Sequence, residues 1–163
     1  MSNTPRDRGR LLVSNLNQLH NNLAESKIVA QAAATAVNKA EGELHEAELA
    51  LTLAESRRTR SDFPATLSDE DKAKQLEDAA HHLELTKANH ERKAQELESS
   101  KLALADATSQ VTNLTKAVKE AENAINHLAQ EAAQLEVDAQ TSFDQRVNLA
   151  RQQLNSKYQE GLP

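Results

Sequence analysis

The spacing of aliphatic side chains in the first third of the chain leaves few folds open. Stepping alternately by four and three residues from Leu12 lands on Leu12, Leu16, Leu19, Leu23, Ser26, Ala30, Ala33, Val37, Ala40, Leu44, Ala47, Leu51 and Ala54, and only Ser26 is not apolar. A 3.5-residue repeat held for about six heptads predicts a long helix with one narrow apolar stripe, the pattern of a left-handed coiled coil. A helix in a globular core follows a 3.6-residue period and drifts off such a stripe. The segment 9–60 is therefore expected to be a coiled-coil helix. Alanine dominates the stripe from Ala30 to Ala40. Small residues let helices approach closely but bury little area, at about 25 cal/mol per Å². Val29, Ala32, Ala34 and Ala36 widen the stripe there, as for contact with two neighbours.

A stop-and-start signal follows. Arg57, Arg58 and Arg60 place positive charge where a helix C-terminus favours it. Pro64 cannot continue a helix and biases Phe63 away from helical angles. Ser68 is placed to cap a new helix whose first turn carries Asp69, Glu70 and Asp71. Residues 61–68 are read as a loop and 69–158 as a second coiled-coil helix, free of Gly and Pro. Its stripe reads Ala73, Leu76, Ala80, Leu83, Lys87, His90, Ala94, Leu97, then past Lys101 to Leu104, Ala107, Val111, Leu114, Val118, Ala121, Ile125, Leu128, Ala132, Leu135 and Ala139. The register slips between Leu97 and Ala107, and again between Leu135 and Val147, where Ala139, Phe143 and Val147 step by fours. The weak helix formers Ser99, Ser100, Asp106, Thr108 and Ser109 allow a break near residues 99–110. The fold expected is all-α: an elongated antiparallel coiled-coil hairpin, with a three-helix bundle as the alternative. The hairpin would pair residues 10–60 with 69–120 and leave 121–158 for association. Residues 1–8 are expected to be a disordered polar, basic tail and 159–163 a second tail.

Composition supports long helices over a compact enzyme. Aromatics are 2% of the 163 residues, Gly and Pro number three each, and Cys is absent. Such a chain lacks the turns of a compact α/β domain and the aromatic area of its core. Without Cys there is neither a disulfide framework nor a thiolate site. The net charge of -6 opposes general nucleic-acid binding, and Arg6, Arg8 and Arg10 with Arg57, Arg58 and Arg60 are read as a tail and a helix end. Leu11–Val29 is amphipathic, but its polar face of Asn, Gln and His suits a helical neighbour better than a membrane surface. Of His20, His45, His81, His82, His90 and His127, only Asp78–His81 approaches the Glu-x-x-His spacing of a di-iron bundle, and it occurs once. No phosphate loop, catalytic residue, cofactor, metal or small-molecule substrate is expected. Asn113-Leu114-Thr115 matches a glycosylation sequon, without a signal peptide to give it use; the polar start and the lack of a spanning segment make the cytoplasm the default location.

What remains is helix–helix recognition. The interface residues expected are Leu12, Leu16, Leu19, Leu23, Val37, Leu44, Leu51, Leu76, Leu83, Leu97, Val111, Leu114, Val118, Ile125, Leu128 and Leu135. The function expected is that of a structural or scaffolding protein acting by self-assembly or by docking a helical partner. The alternatives are a three-helix adaptor or inhibitor and, third, a membrane-remodelling helical protein. In outline such a hairpin is similar to the stalk proteins of type III secretion and flagellar export ATPases, phage scaffolding proteins and filament-forming bacterial coiled coils. That likeness is one of shape and carries no functional residue to this chain.

Overall fold

The computed structural model describes residues 4–161 and contains two helices, α1 (Pro5–Arg58) and α2 (Asp69–Glu160). They pack against each other as a helical hairpin, and no strand occurs among the described residues.

Each helix starts on a cap. The Thr4 hydroxyl accepts the Asp7 N–H at 3.3 Å and donates to the Asp7 carboxylate. Pro5 follows at the first helical position, where its fixed φ suits the helix and its missing N–H costs nothing. Helix therefore begins within the stretch expected to be a disordered tail; residues 1–3 of that tail lie outside the described residues. Ser68 repeats the device for α2, accepting the Asp71 N–H at 3.1 Å and donating to the Asp71 carboxylate at 2.7 Å. Such caps satisfy donors that the first turn leaves without intrahelical partners. Between the helices, the Leu67 N–H closes a turn on the Pro64 carbonyl at 3.0 Å. Arg60 pairs with Asp62 at 2.9 Å and lies 5.5 Å from the centre of the Phe63 ring.

The break allowed near residues 99–110 is absent, so the three-helix alternative is set aside: α2 is continuous through that stretch. The hydroxyls that made it look weak are satisfied without leaving the helix. Ser100 Oγ donates to the Glu96 carbonyl at 2.9 Å and Thr108 Oγ1 to the Leu104 carbonyl at 2.8 Å. A Ser or Thr bonded to the carbonyl four residues back lowers its polarity within the helix.

The chain divides into two compact units. One is Asn22–Asn113. Within it Glu43 pairs with Lys93 and Glu48 with His90, an antiparallel arrangement, around a core of Val37, Ala40 and Leu97 flanked by Leu44 and Leu104. The other joins α1 up to Asn21 with α2 from Leu114. Within it Arg8 meets Glu131 at 3.9 Å, His20 meets Glu122 at 4.0 Å, and Gly9 lies beside Leu128. These helices too run antiparallel.

Candidate functional site: the apolar faces of the two helices

Along α1 every step of the heptad from Gly9 to Ala54 is buried or half-buried, with Leu23, Val37, Ala40, Ala47 and Ala54 the most enclosed. Along α2 the same is true of Lys72, Leu76, Ala79, Leu83, Thr86, His90, Lys93, Leu97, Ser100, Leu104, Ala107, Val111, Leu114, Val118, Ala121, Ile125 and Leu128. These positions alternate in steps of four and three without interruption. The slip expected between Leu97 and Ala107 is therefore not present. It arose from reading Lys87 and Lys101 into the stripe, and both are exposed. Thr86 and Ser100 occupy those steps instead. Thr86 is buried and donates to the His82 carbonyl at 2.8 Å. A hydroxyl satisfied in this way can be buried at small cost, whereas a lysine ammonium cannot.

Of the interface residues expected, Leu23, Val37, Leu97 and Val118 are buried. Leu12, Leu16, Leu19, Leu44, Leu51, Leu76, Leu83, Val111, Leu114, Ile125 and Leu128 are half-buried, the usual state of a stripe covered by a single neighbour. Leu135, in the segment 121–158 expected to be left for association, is 53% exposed. By Arg8, near its start, α1 stands opposite Glu131. The pairing expected, 10–60 against 69–120, is corrected by the same contact: the start of α1 lies against α2 as far as Glu131. Near the loop, Arg57 at the end of α1 and the loop residues Arg60 and Phe63 line a cavity of about 360 Å³ with Leu76 and Ala79 of α2. The widened stripe in α1 also lacks its second neighbour: Val29, Ala32 and Ala36 are exposed and only Ala34 is half-buried.

One ionic cluster lies in the packed face. Lys93, with its side chain 19% exposed, donates to Glu43 on the facing helix and to Glu96 at 2.8 Å on its own. The hydrogen bond from Lys93, and then its charge, hold the Glu43 carboxyl below the ordinary glutamate range. The Lys93 hydrogen bond does the same for Glu96. The hydrogen bonds to Glu43 and Glu96 raise the Lys93 ammonium above its ordinary value. Sequence reading missed this cluster because it put Ala94 on the step between His90 and Leu97, a step that Lys93 occupies in the alternation of fours and threes. The sign of the pH dependence follows. Two depressed carboxylates stabilise the fold above the ordinary glutamate pKa of 4.5, and that contribution is lost as pH falls through their lower folded values. The raised Lys93 contributes fully below 10.5 and its share is lost as pH rises through its folded value. Acidification from about pH 6 to about pH 3 should thus lower the Tm of the native chain more than that of Glu43→Gln, measured by circular dichroism. Equal losses would show that the cluster has no part in acid stability.

Past Leu128 the described side chains of α2 are exposed, with Val147 half-buried. Leu135, Phe143, Leu149, Leu154 and Tyr158 are each more than half exposed, although the helix carries on to Glu160. Among the described residues no group of three or more His, Asp or Glu is placed to hold a metal ion, and no helix is long and apolar enough to cross a membrane. No family model, curated protein or solved structure matches the chain.

Proposed function

We propose that this chain is a non-enzymatic structural element, a coiled-coil hairpin that works by self-assembly through the unpaired end of α2. One observation carries the reading: the apolar residues Leu135, Phe143, Leu154 and Tyr158 lie on a regular helix and are each more than half exposed. A helix exposing a contiguous apolar stripe is at lower free energy with that stripe covered. The uninterrupted steps of three and four along both helices support left-handed packing of α1 on α2. The paired helices then act as the support and the free end as the connector. Over the paired region the charges are mixed in sign, which favours solubility over adhesion to one class of polyion.

The test is the mass in solution across a tenfold range of concentration, by light scattering or sedimentation equilibrium. The expected result is a mass that rises with concentration above that of the 17.9 kDa chain. Phe143→Asp should reduce the association constant by about tenfold or more, because a charge would enter the covered stripe, while helicity stays unchanged. A chain that remains monomeric over the whole range, with native helicity, would exclude self-assembly and leave a different helical protein as the occupant of the stripe.

A further inference from the structure

Resting on that reading, we propose that the occupant of the α2 end is the same segment of a second copy, packed antiparallel about a two-fold axis near residues 144–145. Two independent patterns in the segment support this geometry.

The first is charge. From Glu131 to Asp144 the segment carries Glu131, Glu136, Asp138 and Asp144 and no Lys or Arg; from Gln145 to Gln159 it carries Arg146, Arg151 and Lys157 and no Asp or Glu. A parallel pairing would place acidic half on acidic half and basic on basic. An antiparallel pairing places each acidic half on the partner's basic half. Helix pairs choose orientation through such flanking charges, since like charges facing one another are penalised. One helix with both signs in separate halves is complementary to itself only when reversed, as an isologous contact requires.

The second is the apolar stripe. Its residues recur eleven apart: Ala139 with Ala150, Phe143 with Leu154, Val147 with Tyr158. An 11-residue repeat turns 3.67 residues per turn, against 3.5 for the heptad region, so its stripe does not continue the left-handed seam. Reversal about residues 144–145 sets Leu135 opposite Leu154 and Ala139 opposite Ala150, and brings Phe143 opposite Arg146 beside the axis. The small alanine layer lets the helices approach beside the bulky leucine layer. A two-fold axis moved by several residues would lose both apolar layers and misalign the opposed charges.

The chain has no Cys, so introduced thiols report geometry directly. Ala139→Cys and Ala150→Cys are prepared as two full-length proteins with distinguishable tags, mixed, and oxidised mildly; a disulfide needs Cα atoms within about 7 Å. The expected result is a disulfide-linked species containing both proteins, formed only in the mixture, with neither protein linking to itself. Leu135→Cys with Leu154→Cys should behave alike, which guards against failure of one pair to fold. Self-linking of each protein alone would indicate parallel packing and overturn this inference, though not self-assembly. So would an oligomer by light scattering that forms no link in any combination, since it would join through another face. A monomer at every concentration would overturn both the antiparallel contact and the self-assembly on which it rests.

Discussion

Leu97→Ala lowers the stability of the hairpin by about 2–3 kcal/mol, toward the low end of the range for leucine truncation. Leu97 is 7% exposed and belongs to the core formed with Val37 and Ala40. Truncation removes the transfer free energy of its side chain and leaves a gap that the facing residues fill only in part. The cost stays toward the low end because a two-helix interface has no third layer, and water can reach the gap from the side. Leu102, five residues on along the same helix and 68% exposed, is the control, and its change to Ala should fall within about 0.5 kcal/mol of the native chain. Urea unfolding followed at the helical circular dichroism band measures both. Equal effects at the two sites would mean that the Leu97 face is not the one α1 covers.

Ser100→Pro is expected to cost about 3 kcal/mol or more. Proline removes the N–H that helix geometry directs to the Glu96 carbonyl, and its ring clashes with that same carbonyl. The substitution also removes the Ser100 hydroxyl, which donates to Glu96 at 2.9 Å. Ser100 stands far from either end of α2, which runs from Asp69 to Glu160, so no fraying relieves the strain, and its half-buried place on the packed face opposes a kink. The prediction separates the two topologies that the sequence admits. In a three-helix bundle residues 99–110 would form a loop, and proline there would change stability little. A loss of helical signal with a large fall in Tm supports the continuous helix. A Tm within a few degrees of the native chain would restore the break.

Much of the architecture could be read from short-range patterns, because those patterns act within one stretch of chain. Pro64 excludes helix, Ser68 with Asp71 satisfies the first amide groups of α2, and the arginines before the loop suit a helix end; each is a local interaction whose outcome needs no neighbour. The same holds for the apolar steps of α1, where the contrast between Leu or Ala and the intervening polar residues is strong enough to define one face. Even the start of α1 was written locally, in Thr4, Pro5 and Asp7, although the basic residues around them made a disordered tail look plausible.

The middle of α2 was not legible in the same way. Thr86 beside Lys87 and Ser100 beside Lys101 offer two polar candidates for each step, and hydropathy alone does not rank them. Packing ranks them, because a hydroxyl bonded to its own helix tolerates burial and an ammonium without a partner does not. Lys93 shows the exception, held in the packed face by carboxylates on both helices, one of them fifty residues away in sequence.

The chain's own pattern of residues decided that it would be helical, where the helices would stop, and which side of α1 would be covered, since hydrogen bonding and side-chain spacing along one helix are properties of neighbouring residues. Which turn of α2 meets which turn of α1 only the tertiary structure decided: Arg8 stands against Glu131, so the pairing runs past residue 120 and the free face of α2 is shorter than periodicity alone suggests. Burial is a relation between segments and not a property of either one.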